Sequence, residues 1–102
     1  MAYIIRGTTP TIEFTFSEVD PAEIDTAIFT IKQHNEIMIE RDLTTAVVGS
    51  KVISWTLTQE ETLNLKGENI TAMVNWTLPS GIRGASIELE IEMLQNHKNE
   101  VI

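Results

Sequence analysis

Three glutamates near the end of the sequence are spaced so that they could act together on one ligand. Glu88, Glu90 and Glu92 alternate with apolar residues, and alternate side chains of a β-strand lie on one face, about 6–7 Å apart. Such a row could bind a cation or supply paired catalytic carboxylates. Calcium sites, however, usually take their oxygen ligands from turning loops. The pattern therefore favours a solvated outer face, which also discourages edge-to-edge pairing of strands.

The other residue types that carry chemistry form no recognisable constellation. His34 and His97 are the two histidines, one in a predicted turn and one in a polar tail, so surface positions are favoured over a metal site. None of the serines stands in a Gly-x-Ser-x-Gly context, and the five glycines are too scattered for a phosphate-binding loop. We therefore predict no enzyme activity and no catalytic, metal or cofactor-binding residues.

Composition narrows the class of protein further. The chain has 102 residues, of which 42% are hydrophobic and 22% charged, and this balance is typical of a folded, soluble domain. The absence of cysteine excludes disulfides and thiolate metal sites. A formal charge of −8 argues against nucleic-acid binding, which depends on clustered Lys and Arg. With no signal-like start and no membrane-length apolar run, we expect cytoplasmic synthesis without export and no membrane partner.

Apolar residues alternate with polar ones along most of the chain, which predicts about seven short β-strands. The predicted strands are Tyr3–Arg6, Ile12–Phe16, Ala27–Ile31, Ile37–Ile39, Val52–Leu57, Ile70–Leu78 and Ile87–Met93. Asp42–Val48 is either a further strand or a loop. Each strand has one apolar face, so a second layer must cover it.

Turn and helix signals divide these strands. Turns are predicted at Gln33-His34-Asn35 and at Pro79-Ser80-Gly81, and a two-residue hairpin turn at Gly49-Ser50, with Gly49 supplying a positive φ. Asp20-Pro21-Ala22-Glu23 and Thr58-Gln59-Glu60-Glu61 have the form of capped helix starts, and both are too short to be independent helices.

These elements predict an all-β protein with an immunoglobulin-like antiparallel β-sandwich and one or two short helical turns. We expect one domain over residues 1–95 and a polar C-terminal tail over 96–102. Alternation places Trp55 and Trp76 in the core, whereas a sugar-binding platform would require at least one of them to face solvent. Met73, Asn75 and Thr77 form an uncharged outward row on one strand, which favours a protein contact.

Two segments of the chain resemble a known group of proteins. They are Arg6-Gly7-Thr8-Thr9-Pro10, with the alternating stretch that follows it, and Leu57-Thr58-Gln59-Glu60-Glu61-Thr62-Leu63. In this order they resemble short proteins encoded by phages and prophages of Gram-positive bacteria. More remotely, the chain is similar to the immunoglobulin-like N-terminal domain of phage baseplate upper proteins. Both motifs are structural, and neither binds a ligand by itself.

The resemblance implies a non-enzymatic structural or assembly protein that acts through protein–protein contacts in the tail, baseplate or another part of the virion. Its expected partners are other phage structural proteins, and its expected route is synthesis in the bacterial cytoplasm followed by incorporation into the particle. Exposed sheet edges also allow homo-oligomers. The alternative is a β-sandwich module that binds the host surface or a carbohydrate.

Overall fold

Two β-sheets form the protein in a computed structural model that describes residues 2–17, 19–66, 68–86 and 88–102. Nine strands lie within these ranges, so the prediction of about seven was low. They are β1 (Ala2–Ile5), β2 (Thr11–Thr15), β3 (Thr26–Gln33), β4 (Glu36–Asp42), β5 (Ala46–Val48), β6 (Val52–Thr56), β7 (Ile70–Thr77), β8 (Arg83–Ala85) and β9 (Leu89–Leu94). The prediction of a β-rich architecture is confirmed.

The two sheets differ in size. The large sheet has the order β1-β9-β7-β3-β4, with β8 beside β7, and the small sheet has the order β2-β6-β5. All neighbouring strands are antiparallel except β1 and β9, which run parallel. Strands that are distant in sequence therefore become neighbours.

The additional strands are β5 and β8. The uncertain stretch Asp42–Val48 contains the end of β4, a 3-10 turn over Leu43–Thr45, and β5. The turn starts there because the Asp42 carboxylate accepts a hydrogen bond from the Thr44 amide at 2.9 Å. Strand β8 has the sequence Arg-Gly-Ala, which shows no apolar alternation, and it forms through pairing with β7.

Strands β8 and β9 both pair with the same edge of β7, and the pairing register changes between them. Asn75 pairs with Ala85, and Ala72 pairs with Leu89. Along β7 the two paired positions, 72 and 75, are three residues apart, whereas their partners 85 and 89 are four residues apart. The register therefore shifts by one residue, as in a β-bulge. The predicted strand Ile87–Met93 thus begins at Leu89, and Ile87 lies outside the described residues.

Two of the predicted turns are confirmed, and the third has a different geometry. His34 and Asn35 both have positive φ between β3 and β4, and Gly81 has φ 91° after β7. The β5–β6 hairpin also forms, but Gly49 does not supply the positive φ. The Gly49 amide donates to the Val52 carbonyl at 2.7 Å, which places Lys51, with φ 63°, inside the turn.

Three short helical segments carry the chain from one sheet to the other. A 3-10 turn over Pro21–Glu23 joins β2 to β3, and the turn over Leu43–Thr45 joins β4 to β5. Helix α1 (Gln59–Leu63) joins β6 to β7. Its predicted capping box is present, because the Thr58 hydroxyl accepts from the Glu61 amide at 3.2 Å and the Glu61 carboxylate accepts from the Thr58 amide at 2.9 Å.

Aromatic side chains from both sheets meet in the shared core. Phe29 of β3 stacks on Trp55 of β6 with ring centroids 5.0 Å apart, and Phe14 of β2 meets Phe29 edge-to-face at 5.8 Å. Aliphatic residues from both sheets and the connecting segments fill the space around these rings: Ile4, Ile12, Ile24, Ile31, Ile39, Ile53, Leu57, Leu65, Ile70, Val74, Ile91 and Met93. The alternation of the sequence therefore identifies the buried face of most strands correctly.

The segments Arg6–Pro10 and Leu57–Leu63 contact each other. The Thr62 hydroxyl of α1 accepts from the Gly7 amide at 3.0 Å and donates to the Thr8 carbonyl at 2.8 Å. The Arg6 guanidinium donates to the Leu63 carbonyl through Nε at 3.1 Å and Nη2 at 2.7 Å. We call these contacts the α1 clasp. Gly7 suits the clasp because it has φ 85°, a conformation that other residues rarely adopt.

We expect Thr62→Val to destabilise the fold by about 1–3 kcal/mol, because the partly buried Gly7 amide and Thr8 carbonyl lose their partner while side-chain volume is nearly unchanged. Urea denaturation followed by circular dichroism measures the change. Thr62→Ser is the matched control, since it keeps the hydroxyl. Equal stability of Thr62→Val and the unmodified protein would contradict the role of the clasp.

Candidate functional site

The glutamate row lies on the solvent side of the large sheet. Glu90 and Glu92 are exposed in β9, where they pair with Thr71 and Tyr3, and Glu88 is exposed just before that strand. No group of three His, Asp or Glu side chains in the described part of the chain is arranged to hold a metal ion. The positions of Glu90 and Glu92 agree with the predicted outer face.

The two histidines occupy separate exposed positions. His34 lies in the β3–β4 turn with Nε2 2.6 Å from the Glu68 carboxylate, and both side chains are more than half exposed. His97 is exposed in the C-terminal tail. That tail runs back to α1, where the Gln59 amide group hydrogen-bonds the backbone of Ile102 at 2.8 and 3.2 Å.

The two tryptophans differ in their surroundings. Trp55 is 1% exposed, and its indole N–H donates to the Asp42 carbonyl at 2.9 Å. Trp76 is half-buried and meets Phe16 edge-to-face at 5.0 Å. Gly84 lies against the Trp76 ring, because a Cβ added there would come within 2.5 Å of it. The predicted core position is confirmed for Trp55, whereas Trp76 is only partly buried and packs against the margin of the core.

The centre of the large sheet presents an outward surface with little charge, which we call the β3/β7 face. It comprises the outward residues of these two strands: Thr26, Ile28, Thr30, Lys32, Thr71, Met73, Asn75 and Thr77. Lys32 is its one charged member. Ile28 opposes Asn75 and Thr30 opposes Met73, so the two strands form one continuous patch.

Polar contacts hold one end of this face in place. The Arg83 guanidinium of β8 donates to the Asn75 side chain at 3.0 Å, and the Thr26 and Thr77 hydroxyls hydrogen-bond each other. A shallow cavity of about 370 Å³ lies over this end, between Glu40 and Arg83. A fixed patch with one charged residue and further charges at its margin is typical of a protein contact surface.

Exposed apolar side chains also occur at three edge strands. Tyr3 of β1 is 60% exposed, Ile37 of β4 is 50% exposed and Val47 of β5 is 69% exposed. Each of these strands pairs with one neighbour in the described sheets. Their unpaired backbone groups can accept a further strand, so the edges are places where another chain can bind.

Asp42 has a perturbed acidity that follows from local structure. Hydrogen bonds from the Thr44 hydroxyl and then from the Thr44 amide favour the ionised carboxylate and lower the pKa of Asp42 below its usual value. This carboxylate ends β4 and starts the turn to β5. It is a structural acid at the crossing between the sheets.

No protein-family model matches the chain, and a search of the curated proteins found no match. Among the described residues, no helix is both long and apolar enough to cross a membrane. The described residues form a β-rich, two-sheet protein. Its outer surfaces include the β3/β7 face, which has little charge, and the edge strands β1, β4 and β5.

Three of the eight residues of the β3/β7 face were predicted from the sequence. The row Met73, Asn75, Thr77 follows from alternation within one strand, and its position on the outer face is confirmed. Ile28 and Thr30 were missed as partners of this row because the neighbours of a strand are not encoded locally. The sequence did contain one indication of the missing part, because Thr26 and Thr30 alternate with apolar residues in β3.

We expect the two tryptophans to respond differently to iodide. In Trp76→Phe, the remaining Trp55 should emit at short wavelength and resist quenching, because its ring is buried. In Trp55→Phe, the remaining Trp76 should be partly quenched. Fluorescence titration measures both, with far-ultraviolet circular dichroism as the folding control. Equal quenching of the two variants would contradict the described burial.

We expect Thr44→Ala to raise the pKa of Asp42 towards its ordinary value, since the hydroxyl that stabilises the carboxylate is removed. NMR titration of the carboxyl carbon measures this. Because the pKa of Asp42 is lowered in the folded state, its contribution to stability is present at neutral pH and is lost as pH falls through the lowered value. Thr45→Ala should leave the titration unchanged, since its hydroxyl faces the Asp42 carbonyl.

Proposed function

We propose that the chain is a non-enzymatic phage or prophage protein that acts through protein–protein contacts in the tail, baseplate or another part of the virion, or in its assembly. The observation that carries the proposal is the β3/β7 face, which has one charge among eight outward positions in a chain of formal charge −8. Charged residues are depleted in the centres of protein interfaces. The resemblance of the segments Arg6–Pro10 and Leu57–Leu63 to phage proteins is the basis for proposing a role in the virion.

We also infer that the two sheets form an immunoglobulin-like sandwich. The order β2-β6-β5 corresponds to strands B, E and D of that fold, and β9-β7-β3-β4 corresponds to G, F, C and C′. The step from β6 to β7 through α1 matches the connection from E to F. This correspondence supports the finer fold assignment, in which the β3/β7 face would belong to the sheet that contains C and F.

A carbohydrate-binding module remains the alternative, and it now depends on Trp76. Burial removes Trp55 from any stacking platform, whereas Trp76 borders a surface cavity. Contact with Phe16 and Gly84 leaves little of the Trp76 ring for a sugar. The contact surface on the large sheet is the better supported function.

Quantitative mass spectrometry of purified particles from the strain that encodes the chain tests the proposal directly. A copy number in fixed ratio to the major capsid protein would support a structural role. Absence from particles, together with failure to co-purify with any phage structural protein from the lysate, would overturn it.

We expect Met73→Glu to reduce incorporation into particles at least about tenfold, because a charge in the centre of an interface must be desolvated without a partner. The side chain points outward, so the melting temperature should change little. Ser80→Glu, on the exposed β7–β8 turn, is the matched control. Unchanged incorporation of Met73→Glu would show that the β3/β7 face is not the contact surface.

A further inference from the structure

In the part of the chain that the structure describes, no strand pairs with the outer edge of β2 in the small sheet. Its only strand neighbour in the described sheets is β6. The Phe16 amide donates to the Lys51 carbonyl at 2.7 Å, and the Pro10 carbonyl accepts from Leu57 at 2.9 Å, so even-numbered residues direct their backbone groups to β6. In an antiparallel pair the alternate residues point their N–H and C=O groups the other way. The outward groups are therefore those of Thr11, Glu13 and Thr15.

A cavity of about 380 Å³ runs along this same edge. One wall is formed by β2 together with Phe16, Ser17 and Val19, and the other by Trp76, Ser86 and Leu89. We call it the β2 groove, and it is bounded by residues 13–17, Val19, Trp76, Ser86 and Leu89. The groove thus combines apolar walls with a row of backbone hydrogen-bonding groups.

These two features together define what the groove can hold. An apolar cavity alone would suit many ligands, but a row of alternating N–H and C=O groups is matched by another extended backbone. A β-strand laid along β2 would extend the small sheet from three strands to four. Its alternate side chains would fill the space between Phe16, Trp76 and Leu89.

Charge indicates which kind of strand fits. Among the described residues that border the groove, Glu13 is the one that carries a charge. Lys51 lies near the Ser17 end, where Asp20 accompanies it. The groove is therefore acidic towards Glu13. A second copy of this chain is disfavoured, since each copy has a formal charge of −8 and its own β2 would bring a second Glu13 to the interface.

We propose that the β2 groove binds an extended segment of a different protein, which adds to the small sheet as a fourth strand and carries Lys or Arg opposite Glu13. The inference rests on the proposed function as a protein-contact module, and it specifies a second contact, separate from the β3/β7 face. The segment needs alternating small apolar residues and free backbone amides.

A defined peptide tests the proposal with the full chain. The probe is the acetylated, amidated peptide Lys-Thr-Val-Thr-Val-Thr-Lys, titrated to millimolar concentration while backbone amides are followed by NMR. We expect shifts and slowed hydrogen exchange at the amides of Glu13 and Thr15. The same peptide with terminal Glu in place of Lys should bind about tenfold more weakly at low salt. A version N-methylated at alternate residues should not bind.

Two proline variants test whether the peptide binds at the edge of β2. Thr15→Pro removes an outward amide and blocks strand addition, and it leaves the hydrogen bonds to β6 intact. We expect it to abolish peptide binding. Val48→Pro is the matched control on the opposite edge of the same sheet, where the residue also points its amide outward, and it should bind like the unmodified protein.

Either of two results would overturn the inference. One is the absence of any change at Glu13 and Thr15 in the unmodified protein at millimolar peptide, a readout that does not depend on the folding of the proline variants. The other is protection at β1 or β5 instead of β2. Both leave the particle measurements and the Met73→Glu result standing, so failure of the groove and failure of the proposed function can be told apart.

Discussion

The α1 clasp is the constraint on which the rest of the structure depends. One buried hydroxyl, on Thr62, satisfies both the Gly7 amide and the Thr8 carbonyl, and Arg6 reaches the Leu63 carbonyl beside it. These bonds fix the point where the chain leaves β1 in the large sheet and enters β2 in the small one. They also fix the connection that returns the chain from β6 to β7. Two crossings between the sheets are thereby locked together.

The unequal size of the sheets explains where the protein can meet a partner. Three strands cannot cover both margins of a larger sheet, so the edge of β2 remains open beside Trp76 and Leu89. At the opposite margin, Arg41 of β4 reaches the Thr56 carbonyl and lies 3.5 Å from the Glu61 carboxylate. One margin of the core is thus closed by the Arg41 side chain, whereas the other has the β2 groove.

Most features that depend on neighbouring residues in the sequence were predicted correctly. Alternation identifies the inward faces of strands such as β2 and β6, and the capping box at Thr58 marks the start of α1. Strand β8 escaped prediction because Arg83-Gly84-Ala85 has no apolar period, and it exists only because β7 offers an edge. The β5–β6 turn uses Lys51 for its positive φ, although Gly49 looked the better choice. The β3/β7 face and the β2 groove each combine residues that are far apart in the sequence. They could not be predicted because local sequence does not determine which strands become neighbours.

The parallel pairing of β1 with β9 has a consequence for how the chain folds as it is made. Ala2 pairs with Ile91, and Ile4, buried in the core, pairs with Met93. Closing so long a loop is entropically costly and comes late. On the ribosome, β1 has no strand partner until residues 89–94 have left the exit tunnel, and its apolar side chains stay accessible for most of translation. Of the nine described strands, β1 is therefore synthesised first and is among the last to be placed.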